Sequence, residues 1–259
     1  MTAKRTLITA RAVRDGARGA LGLLLLLALS ACSSNSRATS PKEVRKLAGS
    51  SQAQQSRKAA EEHLRKIVRA YDERTPLSLG LVTVNDLCVG GTAKELFFQT
   101  GDDQYKIRCA MRVTAYYGAA PHRIGDVLDD VFTAGDHDAS GATANTIPFD
   151  HNEYRKRLVA YYRGHGPNPT GPDAPEPGQV FDPSQTLSWD TVRSSRKRLI
   201  EEPEPCAESD PPVKRCLSEP ASTTVADLRK RYGMVFRLQM SVADYYRVAK
   251  DGRTTQTWR

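Results

Sequence analysis

The chain has 259 residues and a formal net charge of +8, and 39% of its residues are hydrophobic, which fits a globular protein and excludes a fibrous or low-complexity one. Residues 1–31 hold five of the basic residues and one acidic residue, so 33 basic and 29 acidic residues remain after them. The net charge of that remainder is only +4, so the high isoelectric point does not argue for a nucleic-acid partner, and we expect none.

Residues 1–31 have the pattern of an export signal peptide. Basic residues occur up to Arg18, and an apolar run follows from residue 20 to residue 29. This run is shorter than the roughly 17 to 25 residues that a membrane-spanning helix needs. We therefore expect it to be cleaved rather than to stay in the membrane.

The apolar run ends in Leu29-Ser30-Ala31-Cys32, which resembles the lipobox of bacterial lipoproteins. The resemblance implies cleavage between Ala31 and Cys32, a diacylglycerol on the Cys32 sulfur, and a new amino group that can itself be acylated. Two acyl chains hold a protein stably at a membrane. The implied location is the extracytoplasmic face of the cell membrane, and the Arg- and Ala-rich composition is compatible with an actinobacterial source. The alternative is an ordinary secretory signal.

Four further cysteines are Cys88, Cys109, Cys206 and Cys216, an even number in an implied oxidising compartment. Four cysteines allow three pairings. We favour Cys88 with Cys109 and Cys206 with Cys216, because each pair is close in sequence and falls within one half of the chain. Free thiols are the alternative. A zinc site is disfavoured because no Cys-x-x-Cys pair supplies neighbouring ligands.

Composition divides the chain after the signal. Residues 32–39 are a short polar tether, and residues 40–163 form a first α+β domain or half-domain. Residues 164–183 contain six prolines, which is typical of a linker or a long surface loop. Residues 184–259 form a second α+β half. The total is enough for one larger domain or two small ones.

Helical signals dominate the start of the first half. The segment Ser40-Pro41-Lys42-Glu43 has the pattern of a helix start, and Gly49 ends that helix. Residues 60–71 place apolar side chains on one helical stripe. Residues 124–131 predict another amphipathic helix, and a further helix is predicted to begin at Asp150.

Between these helices the hydrophobic period changes to two, which predicts antiparallel strands. The strands fall at residues 81–84, 96–98 and 105–113, with a hairpin turn at residues 100–103. Along the last of them, Cys109 shares the apolar face. A bridge from Cys109 to Cys88 would therefore be protected inside the core.

The second half mixes both signals. Residues 189–199 and 225–228 suggest helices, the second behind a Ser-Thr-Thr cap, and residues 234–242 form a second long alternating strand. Asp251-Gly252 is a strong hairpin signal, with residues 254–258 as the return strand.

These elements predict an α+β fold in which an N-terminal helix packs on a curved antiparallel sheet, a pattern that resembles cystatin-like or nuclear-transport-factor-like domains. Residues 107–117 and 236–246 also resemble each other. A duplicated helix-plus-sheet unit would explain that similarity, and chance similarity between alternating strands is the other explanation.

One segment resembles the opening of a calcium loop, because Asp136, Asp138 and Ser140 alternate ahead of Gly141. The twelfth position is Ile147, so the bidentate Glu that closes such a loop is missing. A solvated acidic turn is the preferred interpretation. We expect no metal and no cofactor.

The outward face of the long strand carries Lys106, Arg108 and Arg112, and the second long strand adds Arg237. If both strands share a sheet, these cations gather on one surface, although a solvated strand face is the common alternative. We therefore expect a lipid-anchored, non-catalytic binding module for an envelope protein or an anionic wall polymer. An envelope enzyme with an unrecognised site and a transporter-associated binding protein are the alternatives.

Overall fold

The computed structural model describes residues 37–93, 101–141, 146–204 and 211–257. These residues form five α-helices and one eight-stranded antiparallel sheet, which confirms the predicted α+β class. The helices are α1 (Pro41–Ala48), α2 (Ser51–Arg74), α3 (Ile124–Ala139), α4 (Glu153–Tyr162) and α5 (Val225–Tyr232). The strands are β1 (Ser78–Gly90), β2 (Tyr105–Ala119), β3 (Gln179–Asp182), β4 (Gln185–Trp189), β5 (Val213–Glu219), β6 (Met234–Met240), β7 (Ala243–Ala249) and β8 (Thr254–Gln256).

The first helix begins and ends where the sequence predicts, whereas α2 extends to both sides of the predicted stripe at residues 60–71. The Ser40 side chain accepts a hydrogen bond from the Glu43 backbone N–H, and the Gly49 N–H closes the end of α1 on the Arg45 carbonyl. Ser50 then caps α2 in the same way. Each cap supplies a partner for a helix-end donor that would otherwise have none. No helix among the described residues is long and apolar enough to cross a bilayer.

The sheet has the strand order β3-β4-β6-β2-β1-β5, with β7 paired to β2 and β8 paired to β7. Strands that come before and after residues 164–183 therefore lie in one sheet, and the two long alternating segments are neighbours through the β2–β6 pairing. Cys88 on β1 stands opposite Cys109 on β2, and the two form a disulfide, as predicted. Cys216 is also disulfide-bonded. Cys206 lies outside the described residues, so its pairing with Cys216 stays a prediction.

The inner face of the sheet holds the main core, against α1 to α4. Alternation along β1 buries Val82, Val84 and Cys88 on this face, and the same period applies along β2. The outer face carries a smaller apolar cluster at one end, where α5 packs through Val225 and Leu228. The rest of the outer face is open to a groove.

Two features of the second half differ from the prediction. Residues 189–199 are not helical: β4 ends at Trp189 and an irregular segment, residues 190–204, follows. The apolar residues Leu187 and Trp189 obey a period of two rather than 3.6, and they are buried on the same face of the sheet. The second long strand is broken between β6 and β7, so Val242 is exposed rather than inward. The hairpin at Asp251-Gly252 is present, and Gly252 has the positive φ that this turn needs.

The start of α4 also differs. Its cap is Asn152, whose side chain accepts from the Arg155 N–H, whereas the Asp150 carboxylate instead binds the Arg155 guanidinium. The predicted strand at residues 96–98 lies outside the described residues. The Pro-rich segment contains β3 and the buried side chain of Glu176.

His151 joins the segment before α4 to the end of α3. Its ring nitrogens lie 2.6 Å from an Asp136 carboxylate oxygen and 3.1 Å from an Asp129 carboxylate oxygen. Burial alone would lower the pKa of His151, but hydrogen bonds to Asp136 and Asp129 outweigh it and raise the pKa above its ordinary 6.5.

Because the pKa of His151 is raised in the folded state, its stabilising contribution is complete below about pH 6.5 and is lost as the pH rises through the folded-state pKa. We expect the wild type to exceed a His151→Gln variant in free energy of unfolding by more near pH 6 than near pH 9. Urea unfolding at both pH values measures this difference. His122→Gln, at an exposed histidine, is the control, and an equal gap at both pH values would contradict the prediction.

Candidate functional site

The open part of the outer sheet face forms a groove that is roofed by the irregular segment, residues 190–204. Two cavities adjoin here, of about 510 and 730 Å³. Both are lined by Glu201 and Arg237, and the larger one also extends to β3 and the start of α4. We call the smaller one the Arg112 cavity and the larger one the Ser188 cavity. Volumes of this size suit small ligands or a segment of a polymer.

The strand pairing explains which side chains line the groove. Arg112 on β2 pairs with Asn85 on β1, and Arg237 on β6 pairs with Tyr116 on one side and Ser188 on the other. Residues paired across antiparallel strands point to the same face. Polar residues that alternate with core residues on four strands are therefore brought together here.

The four sequence-predicted cations separate into two pairs. Arg112 and Arg237 line the Arg112 cavity. Lys106 and Arg108 lie toward the other end of β2, where Arg108 forms a 2.8 Å ion pair with Asp244. The hydrogen bond that Arg108 donates to the Asp244 carboxylate raises the pKa of Arg108 and keeps its charge paired. The four residues thus share a strand face but do not form a single surface.

Arg237 is a cation of the groove that no described carboxylate pairs. Its guanidinium forms no ion pair with any described residue, and its Nε is shielded from water without a hydrogen-bond partner. Tyr116 lies beside it, and burial raises the pKa of its hydroxyl. Arg237 lowers this pKa and Glu202 and Glu204 raise it, so the net shift is upward. Tyr116 therefore keeps its proton at neutral pH and offers a neutral hydroxyl to the groove.

Two buried carboxylates hold the roof of the groove in place. Glu176 accepts hydrogen bonds from the backbone N–H groups of Val192, Arg193 and Ser194, at 2.6 to 2.9 Å. Asp190 accepts from the Ile200 N–H at 2.6 Å and is only 2% exposed. These contacts replace the hydrogen bonds that a helix would supply, so the irregular segment is held at defined positions.

No protein-family model, curated protein or solved structure matches this chain. The likeness to cystatin-like or nuclear-transport-factor-like domains stays a resemblance of pattern.

The structure fits neither the weak calcium-loop candidate nor the preferred solvated acidic turn, because Asp136 and Asp138 lie in the last turn of α3 and Ser140 caps its end. Asp138 is 1% exposed rather than solvated, and its carboxylate binds Arg74 at 2.9 Å and accepts from the Thr146 and Ile147 N–H groups. Asp136 is occupied by His151. The carboxylates that a cation would need thus already serve the fold.

A second polar cluster lies on the inner face and was missed in the sequence. The Asp86 carboxylate is 1% exposed, binds Arg57 at 2.8 Å and accepts from the Tyr245 hydroxyl at 2.8 Å. Burial raises the pKa of Asp86, against the opposing effect of Arg57. One signal was available: Asp86 occupies a core-facing position in register with Val84 and Cys88. The cluster joins α2, β1 and β7 and is a structural contact.

The lipobox residues Ala31 and Cys32 and the predicted disulfide partner Cys206 lie outside the described residues. Lipidation and the second disulfide pairing therefore remain predictions from the sequence.

Proposed function

We propose that this protein is a lipid-anchored binding protein of the bacterial envelope and that its outer sheet groove binds an anionic wall polymer. The observation that carries the proposal is Arg237, a cation without an ion-pair partner among the described residues, which lies with Arg112 in the wall of an open groove. A guanidinium in a partly enclosed cleft favours carboxylate or phosphate groups.

Two features support a location outside the cell membrane. The lipobox-like Leu29-Ser30-Ala31-Cys32 follows an apolar run that is too short to span a bilayer. The disulfide between Cys88 and Cys109 is typical of oxidising compartments and rare in the cytosol.

The course of the chain supports an orientation in which the groove faces away from the bilayer. The tether meets the sheet where the Thr39 N–H donates to the Gly91 carbonyl. The Gly91 N–H in turn donates to the backbone carbonyl of Lys106 on β2. Arg237 pairs with Tyr116, ten residues further along β2, which corresponds to about 33 Å of strand. The tether between Cys32 and Ser40 has seven residues and reaches at most about 25 Å. In the proposed arrangement, the anchored end lies near the lipid and the groove lies toward the wall.

Replacing Cys32 tests the anchor. We expect Cys32→Ala to abolish fatty-acid labelling and membrane retention while the fold is kept, because Cys32 precedes the tether and the first described helix. The measurement is incorporation of labelled palmitate, with circular dichroism as the check on folding. Labelling of the variant at the wild-type level would refute lipidation at Cys32.

The groove is tested with two double variants of equal charge change. We expect the protein to co-sediment with isolated cell walls at low salt and to be released as salt rises, because exposed charges are screened beyond about 8 Å at physiological ionic strength. Arg112→Gln with Arg237→Gln should weaken this binding at least severalfold. Lys106→Gln with Arg108→Gln removes the same charge at the tether end and should keep most of it.

The two double variants separate the groove from charge in general. Equal loss in both would indicate attraction by net charge alone, and unchanged binding in the groove variant would refute the proposal. Cross-linking to one envelope protein, without any binding to purified walls, would identify a protein partner instead.

A further inference from the structure

The Ser188 cavity holds a polar site that the surrounding protein leaves incomplete. Ser188 is 6% exposed, and its hydroxyl oxygen has no hydrogen-bond partner among the described residues. Ser188 pairs with Arg237 across β4 and β6, so the two Cβ atoms lie within about 4.5 to 5.5 Å. Both residues line the cavity.

Two unpartnered polar groups side by side are unusual in a folded interior, because each buried unpaired group costs about 1 to 3 kcal/mol. The Ser188 hydroxyl and the Arg237 Nε–H are both able to donate to oxygen. Both donors are closed off from solvent as they stand, so an acceptor with two oxygens that enters the cavity would satisfy both after a shift of the Arg237 side chain opens them. A carboxylate has this shape, and an arginine side chain recognises it through two parallel hydrogen bonds.

The charges around the cavity favour a ligand with one negative charge. Three arginines and two glutamates line it, an excess of one positive charge. Arg155 is already bound to Asp150, and Arg198 donates to the Glu176 carbonyl oxygen. Arg198 keeps its charge, because a neutral carbonyl accepts only one of its hydrogen bonds, and Arg237 is the arginine with an unpartnered donor beside Ser188. A dianion such as a phosphate monoester would leave one charge uncompensated close to Glu176 and Glu201.

The mouth of the cavity is apolar. Phe181 and Leu199 both line it, and they are 67% and 47% exposed, although large apolar side chains are usually covered. Phe181 belongs to β3, the edge strand of the sheet, and Leu199 belongs to the roof segment. Both line the same cavity, so an apolar group bound against them would cover part of their exposed surface.

We propose that the Ser188 cavity binds a small organic monocarboxylate that carries an apolar or aromatic body. The carboxylate would meet Arg237 and Ser188, and the body would lie against Phe181 and Leu199. This inference goes beyond the proposed function: it concerns a second, small ligand in a cavity of the same groove, and it requires neither lipidation nor wall binding.

The test uses isothermal titration calorimetry on the purified full-length mature protein in detergent, with 3-phenylpropanoate as the probe. The neutral 3-phenylpropanamide, acetate and phenyl phosphate are the comparison probes. We expect 3-phenylpropanoate to bind at least about tenfold more tightly than the amide, since a charge-assisted hydrogen bond is worth about 1.5 to 3 kcal/mol. Acetate lacks the apolar body and phenyl phosphate carries the extra charge, so both should bind more weakly.

Variants assign the two parts of the site. Arg237→Gln should reduce the preference for carboxylate over amide to about twofold or less, and Ser188→Ala should reduce it severalfold while the fold stays intact, because it removes only an unpartnered hydroxyl. Phe181→Ser should weaken carboxylate and amide equally. Arg108→Gln removes an arginine outside the groove, where it is ion-paired with Asp244, so it is the matched control and should keep the wild-type preference.

Three results would each overturn this inference. They are equal binding of carboxylate and amide to the wild type, a carboxylate preference that survives in Arg237→Gln, and no binding of 3-phenylpropanoate at millimolar concentration. Wall co-sedimentation that persists in any of these cases would leave the proposed function standing. Binding of 3-phenylpropanoate without co-sedimentation with walls would support this inference and refute the proposed wall binding.

Discussion

Replacing Asp190 with Ala is expected to lower the free energy of unfolding by about 3 to 5 kcal/mol, because it removes one partner of a buried ion pair. Asp190 is 2% exposed and stands at the end of β4. Its carboxylate binds the Arg229 guanidinium at 2.8 and 3.1 Å and accepts from the Ile200 and Val235 N–H groups at 2.6 and 2.9 Å. One side chain thus joins the roof segment, α5 and β6.

Urea unfolding followed by tryptophan fluorescence measures this loss, with a lower midpoint and an unchanged slope as the expected result. Asp173→Ala removes the same charge from an exposed position with no side-chain hydrogen bond or ion pair among the described residues, and it should leave the midpoint unchanged. A loss below about 0.5 kcal/mol for Asp190→Ala would place this site among ordinary surface positions and contradict the prediction.

Asp190 is one of several buried acids that hold irregular parts of the chain. Asp138 fixes residues 146–147 to the end of α3, and Glu176 fixes residues 192–194. Backbone N–H groups outside helices and strands need acceptors, and a carboxylate supplies two oxygens that each accept more than one bond. Buried acids therefore do in the roof what hydrogen-bond ladders do in the sheet.

Local signals in the sequence were sufficient for much of the fold. Ser40 and Thr224 cap the helices that they were expected to cap, and the period-two pattern of β2 places Cys109 in the core opposite Cys88. In each case the contacts that determine the structure join residues close in sequence or residues on two consecutive paired strands. Such contacts are encoded in spacing, so a single sequence displays them.

The groove could not be predicted in the same way, because its contacts join distant parts of the chain. Asp190 and Val235 are 45 residues apart, and the pairing of Ser188 with Arg237 depends on strand order rather than on any local pattern. Acidic residues also look solvated in a sequence, which is why Asp138 was interpreted as part of an exposed turn. The alternation along the two long strands predicts that Arg112 and Arg237 share a face with Lys106 and Arg108. Only the pairing of the strands shows that Lys106 and Arg108 lie at the other end of β2, away from the groove.

The Glu176 carboxylate leads to the second large expected effect, which is local to the roof of the groove. Both of its oxygens accept from backbone N–H groups of residues 192–194, and the Tyr162 hydroxyl donates to it as well at 3.2 Å. In Glu176→Gln one oxygen becomes an NH₂ group, so at least one N–H donor must face another donor. We expect a loss of about 1 to 3 kcal/mol, the cost of buried donors without acceptors.

Because the loss is centred on the roof, hydrogen exchange should locate it. We expect the amides of Val192, Arg193 and Ser194 to exchange about 10 to 100 times faster in Glu176→Gln, with β1 and β2 amides much less affected, since local opening requires less free energy than global unfolding. Glu201→Gln removes the same charge from an exposed side chain of the same groove and should leave these rates unchanged. Uniform acceleration across the whole sheet would show that Glu176 supports global stability instead, and unchanged rates in the roof would show that its backbone is held by other contacts.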